Sequence, residues 1–92
     1  MERLFGIVET VVIRDPRISV GAKALYSLLC SYTTPGRPYA YPSTSELCDH
    51  LGDIHLRTLR RYISELKQFR YIDRRKTSNG WIYELVLKQR NN

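Results

Sequence analysis

From Pro42 to Tyr71 the chain reads PSTSELCDHLGDIHLRTLRRYISELKQFRY, which leaves room for little besides two helices joined by a short turn. Ser43 is followed three residues later by Glu46. That spacing predicts a capping box, in which each side chain satisfies the other's backbone N–H at a helix start. Leu47 and Leu51 then lie one turn apart, and Gly52 supplies a stop because it alone enters the left-handed region without cost. Asp53 and Ile54 make a tight turn, with Asp53 as the cap of a second helix from about His55 to Phe69. Leu56, Leu59, Ile63 and Leu66 recur at helical spacing as one apolar stripe. Leu47, Leu51 and Ile54 are expected to pack on Leu59, Ile63 and Leu66. Residues three and four apart share a helical face, so Arg57, Arg60, Arg61, Ser64 and Lys67 are left pointing outward.

The flanking segments complete a small α+β unit. LFGIVETVVIRD is rich in β-branched residues and predicts a strand over Phe5 to Ile13, ended by Asp15-Pro16. SVGAKALYSLLCSY predicts a helix capped by Ser19, with Ala22, Leu25, Leu28, Leu29 and Tyr32 on its inner face. TTPGRPYAYP, with three prolines and a glycine, predicts a connecting loop. In YIDRRKTSNGWIYELVLK, Asn79-Gly80 predicts a tight hairpin turn, because both residues tolerate positive φ. Trp81, Tyr83, Leu85 and Leu87 should share one face of its second strand, and Ile82, Glu84 and Val86 the other. The expected order is strand, three helices and a C-terminal hairpin, in one domain spanning residues 1–92.

Charge separates the two halves. Residues 1–56 hold five basic and six acidic groups, a net of −1, whereas residues 57–92 hold ten and three, a net of +7. A cationic field confined to the second helix of the pair and the hairpin favours a polyanionic partner. Two helices joined by a turn, the second longer and basic, form a helix-turn-helix, and a hairpin bearing Arg74, Arg75 and Lys76 beside it makes a wing. The major groove of DNA is about 12 Å wide and admits one helix, and Arg grips guanine O6 and N7 bidentately. Arg57, Arg61 and His55 are assigned to base edges, and Thr58, Arg60 and Ser64 to phosphates or thymine methyls. Lys67 continues that face, and Ser43 and Thr44 at the preceding helix start complete the expected DNA-binding set. The wing cations would straddle phosphates or enter the minor groove. Against this stands an ordinary solvated face, neutralised by Arg60–Glu65 or Arg61–Glu65 pairs.

The segments IRDPRISVGAKALYSLLCSY, YPSTSELCDHLG, RTLRRYISELK and YIDRRKTSNGWIYEL together resemble the winged helix-turn-helix domains of bacterial, phage and plasmid regulators and replication-initiation proteins. The resemblance runs from Ile13 to Leu85. It implies a winged helix fold and sequence-specific binding of double-stranded DNA. GDIHLRT is one residue longer than the commonest spacing of the family, which implies a wider turn or a later start of the recognition helix.

Other classes find little support. No segment approaches the ~18 apolar residues of a membrane span. The N-terminus has no small-residue cleavage site, so a signal peptide is not expected. Cys30, Cys48, His50 and His55 lack metal-ligand spacing, and the two cysteines suit small buried hydrophobes in a reducing cytoplasm. No glycine-rich phosphate loop, metal-binding histidine pair or activated nucleophile appears. The chain is therefore read as a non-enzyme without cofactor or small-molecule ligand, cytoplasmic and nucleoid-associated when bound. Tyr39 and Tyr41 are expected to bury their rings and keep their hydroxyls wet rather than reach a phosphate, and Trp81 to pack across the hairpin rather than lie against a sugar. A homodimer is a further expectation, through Tyr26 and Tyr32 of the first helix or through the N-terminal strand edge. The alternative partner is an acidic protein; a membrane surface is the weakest, because the leucines are needed inside.

Overall fold

A computed structural model of the chain describes residues 8–34 and 36–86. The first described element overturns an expectation. Thr10–Ile13 is a single helical turn, α1, rather than part of a strand. A β-branched run favours extended backbone only where a neighbouring strand completes it. Here Val12 is fully buried instead, and the turn is closed by Arg14 N–H donating to the Thr10 carbonyl at 3.0 Å. Of the rest of the expected strand, Val8 and Glu9 are not in a strand, and residues 5–7 lie outside the described residues.

Helix α2, Val20–Cys30, starts as expected: the Ser19 hydroxyl accepts from the Ala22 N–H at 3.1 Å. Ala22, Leu25, Tyr26, Leu29 and Cys30 form its buried side. Tyr26 has no exposed surface, so it cannot contribute to a dimer contact as expected. Burial also pushes the Cys30 thiol up to about 11. The proline-rich stretch that follows is not wholly loop. Tyr39–Ala40 forms a short strand, β1.

Helix α3, Thr44–His50, is capped by the Ser43 hydroxyl, which accepts from the Glu46 N–H at 3.0 Å. The reciprocal half of the capping box is missing, because the Glu46 carboxylate accepts from the Tyr32 hydroxyl at 2.8 Å. Gly52 takes φ +91 and Asp53 φ +61, so the chain reverses through two consecutive left-handed residues. Asp53 therefore bends the turn rather than capping the next helix. That helix, α4, spans Leu56–Gln68; its N-cap is His55, which makes no side-chain cap hydrogen bond. The helix thus starts one residue later than the expected His55. Leu59, Ile63 and Leu66 are buried, but Leu56 is 41% exposed and leaves the expected stripe.

Strands β2, Ile72–Thr77, and β3, Gly80–Leu85, form the hairpin, and β1 joins it to give the antiparallel order β1-β3-β2. Thr77 pairs with Gly80, so the turn residues are Ser78 and Asn79 rather than Asn79 and Gly80. Only Gly80 takes positive φ, at +119. The Thr77 hydroxyl favours this register: it accepts from the Asn79 N–H at 3.2 Å and donates to the Gly80 carbonyl at 2.8 Å. Leu87 lies outside the described residues.

Leu47, Leu59, Ile63 and Leu66 meet Leu25, Leu29, Tyr83 and Leu85 in one core, with Leu51 and Ile54 packed at its edge. A polar latch ties its two ends. The buried Asp15 carboxylate accepts from the Arg17 backbone N–H at 2.9 Å, from Nε at 2.9 Å and Nη2 at 2.7 Å, and from the Tyr71 hydroxyl. The Arg17 guanidinium, then the Tyr71 hydroxyl, hold this carboxyl far below the usual carboxylate range. The architecture is a winged helix-turn-helix whose hairpin is widened by a third strand.

Candidate nucleic-acid interface

The outer face of α4 is cationic and uncompensated. Arg57, Arg60, Arg61, Ser64 and Lys67 are exposed, as is His55 before them, and Thr58 is half-buried. The acid that would have neutralised this face is engaged elsewhere. Glu65 accepts from the Ser19 N–H at 2.7 Å and the Ser19 hydroxyl at 2.8 Å, so the Arg60–Glu65 and Arg61–Glu65 pairs do not form. Among the described residues the one ion pair is Arg17–Asp15. Glu65 thus serves as a second cap for α2 and pins the flank of α4 to that helix.

Tyr62 lies on that same flank. A Cβ built on Gly21 would stand 2.0 Å from the Tyr62 Cζ, so the ring occupies space that only glycine leaves open. The Arg61 guanidinium rests 5.4 Å from the centre of the Tyr62 ring. Packing of α4 on α2 and placement of a solvent-facing arginine are therefore one arrangement.

On the opposite flank α4 meets the wing. The face of the sheet that carries Ile72, Leu85 and Tyr83 into the core continues toward the hairpin tip as Arg74, Trp81 and Lys76, because Arg74 pairs with Tyr83 and Lys76 with Trp81. The Arg74 guanidinium stacks 3.8 Å from the centre of the Trp81 ring, and the Lys76 ammonium lies 5.3 Å from it. Arg60, Ser64, Lys67 and Gln68 of α4 and Arg74 of β2, with Ile63 at the floor, line one open cleft of about 490 Å³. The Arg74 Nε is buried and has no hydrogen-bond partner.

The structure thus brings Arg60, Ser64, Lys67 and Arg74 together, with Lys76 on the same face of the wing. Arg75 alternates to the back of β2, where its cross-strand partner is Ile82 and where Asp73 and Glu84 also pair. Ser43 and Thr44 sit at the start of α3, and Ser43 spends its hydroxyl on the cap. Two contributors, Gln68 and Gly21, were missed in the sequence, and Trp81 was expected to pack across the hairpin without Arg74 as its partner. Gln68 completes the cleft, Trp81 fixes Arg74, and Gly21 seats Tyr62. The Trp81–Arg74 stack was legible only to a reading with the correct turn register, which sets the two side chains diagonally across the hairpin.

A second cleft, of about 440 Å³, lies between the end of α2 and the start of α3 and is lined by Tyr32, Arg37, Tyr39, Tyr41 and Glu46 among others. Tyr41 is 63% exposed and Tyr39 40%, contrary to the expectation of buried rings. Cys48 is only half-buried, where the sequence suggested a buried hydrophobe.

A family model described as a helix-turn-helix domain matches residues 17–72. The chain belongs to this helix-turn-helix domain family. The match runs from Arg17 through α2, β1, α3 and α4 and stops at Ile72, the first residue of β2. The helix-turn-helix domain therefore accounts for α4 and its setting, while the wing that carries Arg74 and Trp81 lies beyond the matched residues. Helix-turn-helix domains of this kind are DNA-binding and typically without enzymatic activity. No curated protein matches the chain. Among the described residues no helix is long and apolar enough to cross a membrane.

Proposed function

We propose that the protein binds double-stranded DNA with sequence preference, placing α4 in the major groove and the β2–β3 wing over the adjoining backbone. The observation that carries this reading is the cleft shared by α4 and β2, in which Arg60, Lys67 and Arg74 converge with no acid opposite them. Arg57 and Arg61, in the N-terminal half of α4, face base edges together with His55; Thr58 and Ser64 contact the sugar–phosphate backbone. Ser43 and Thr44 approach phosphate at the start of α3. Arg74 and Lys76 hold the strand beside the helix, and Arg75 reaches backbone from the rear of the wing.

The biological setting that fits is a small transcriptional regulator or the DNA-binding part of a replication initiator, acting in the cytoplasm on the nucleoid. A pair of copies reading a palindrome would enlarge the small contact that one module makes.

Selection of duplexes from a random pool, followed by anisotropy titration, tests the reading. A selected duplex should bind more tightly than its scrambled counterpart at about 0.15 M salt, roughly physiological. If Arg60, Lys67, Arg74, Arg75 and Lys76 each neutralise one phosphate, the slope of log K against log salt is about −4.5. Equal binding of selected and scrambled duplexes refutes specific recognition. An inverted repeat among the winners supports a symmetric regulator, and a direct-repeat array an initiator.

A further inference from the structure

Leu56 is the first residue of α4 and keeps 41% of its surface exposed, although the helix carries its other large aliphatic residues, Leu59, Ile63 and Leu66, into the core. Its surroundings are polar. His55 precedes it, Arg57 follows it, and Arg60, one turn on, stands in the same row; all three are exposed. The 41% of Leu56 that stays exposed among cations would gain from a partner that removes it from water. The partner must also tolerate the arginines beside it, which argues against an apolar protein groove or a lipid tail and for a surface that is anionic with an isolated apolar point.

The major groove is such a surface. Between its phosphates and hydrogen-bonding base edges it has one apolar feature, the C5-methyl group of thymine. We propose that Leu56 covers a thymine methyl at one position of the target and so determines a base that no arginine of α4 selects. The inference rests on the reading of α4 as a helix inserted in the major groove, and adds a specificity residue of a different chemistry. Arg57 and Arg61 select by paired hydrogen bonds, which favour guanine. Leu56 selects by the apolar surface of a single methyl group. It also accounts for a leucine that the core does not consume.

The test uses the full chain and a duplex recovered from the random pool. Each thymine is replaced in turn by deoxyuridine, which removes the C5-methyl and leaves every hydrogen-bonding group in place. One position should weaken binding of the wild-type protein about fourfold, the value of one buried methyl-sized group. Leu56→Ala should bind the thymine and uracil duplexes equally, and Leu56→Met, which keeps an apolar side chain of similar length, should retain the discrimination. Circular dichroism and thermal melts establish that both variants fold, as the exposure of Leu56 leads one to expect. If the same uracil sensitivities persist in Leu56→Ala, or if no position is sensitive, the proposal is overturned while specific DNA binding stands. If the pool yields no preferred duplex, the DNA-binding reading fails and this inference falls with it.

Discussion

Replacing Gly21 by alanine opposes two effects whose balance depends on the seat of Tyr62. Alanine at a helical position is favoured over glycine by about 0.5–1 kcal/mol. On that ground alone Gly21→Ala, in the first turn of α2, should stabilise the protein. The structure dictates the reverse, because the new Cβ would lie 2.0 Å from Tyr62 Cζ and 2.3 Å from its hydroxyl oxygen. The ring is rigid and packs against the core edge, so it must swing off α2. A tyrosine buries about 150–250 Å² when enclosed. A half-buried ring that is expelled therefore loses roughly 100 Å², or about 2.5 kcal/mol at 25 cal/mol per Å². The net cost is about 1.5 kcal/mol, which lowers Tm by roughly 6–12 °C in a domain of this size. The same substitution in a Tyr62→Ala background meets no ring and should raise stability by about 0.5–1 kcal/mol. Urea unfolding of the four proteins of this cycle supplies the comparison. A Gly21→Ala variant more stable than wild type, or equally destabilised in both backgrounds, would refute the argument.

Three further outcomes are expected. Asp15→Asn should lower the urea midpoint at neutral pH and flatten its fall in acid. A carboxyl held below its ordinary value of about 3.9 stabilises the fold above that pH and ceases to do so as pH falls through the folded value; midpoints at pH 7, 4 and 3 for both proteins check the sign. Glu65→Ala should cost about 1 kcal/mol through loss of the α2 cap, yet tighten binding to any duplex at low salt by removing an acid from α4, so a melt and a titration should move in opposite directions. Arg61→Ala should relax base preference at one position, whereas Arg75→Ala should weaken all duplexes alike and reduce the salt slope by about 1, both readable in competition titrations.

The parts legible in the sequence were those set by local chemistry. Ser19, Ser43 and Gly52 act where their side chains or their lack of one demand, and the spacing of Leu59, Ile63 and Leu66 turned α4 the right way. What escaped was decided at long range. Tyr39–Ala40 is a strand only because β3 runs beside it, and no local pattern in a proline-rich loop announces that. The TVVI run has the composition of a strand, but it forms a helical turn that buries Val12 in the core. Glu65 read as a neighbour of Arg60 and Arg61 because spacing along one helix is visible in a sequence, whereas the approach of Ser19 from 46 residues away is not. In the candidate interface, the outward arginines of α4 were evident. The stacking of Arg74 on Trp81 depended on a hairpin register shifted by the Thr77 hydroxyl.

The two margins of the sheet bear on how copies of this protein tolerate crowding. One margin, β1, is two residues long and stands between Pro38 and Pro42, neither of which has an N–H to offer an incoming chain. The other, β2, presents Arg74, Arg75 and Lys76 in succession, so two such margins brought together would crowd cations against one another. Copies brought close together are thereby kept from fusing into a continuous ribbon through these two margins.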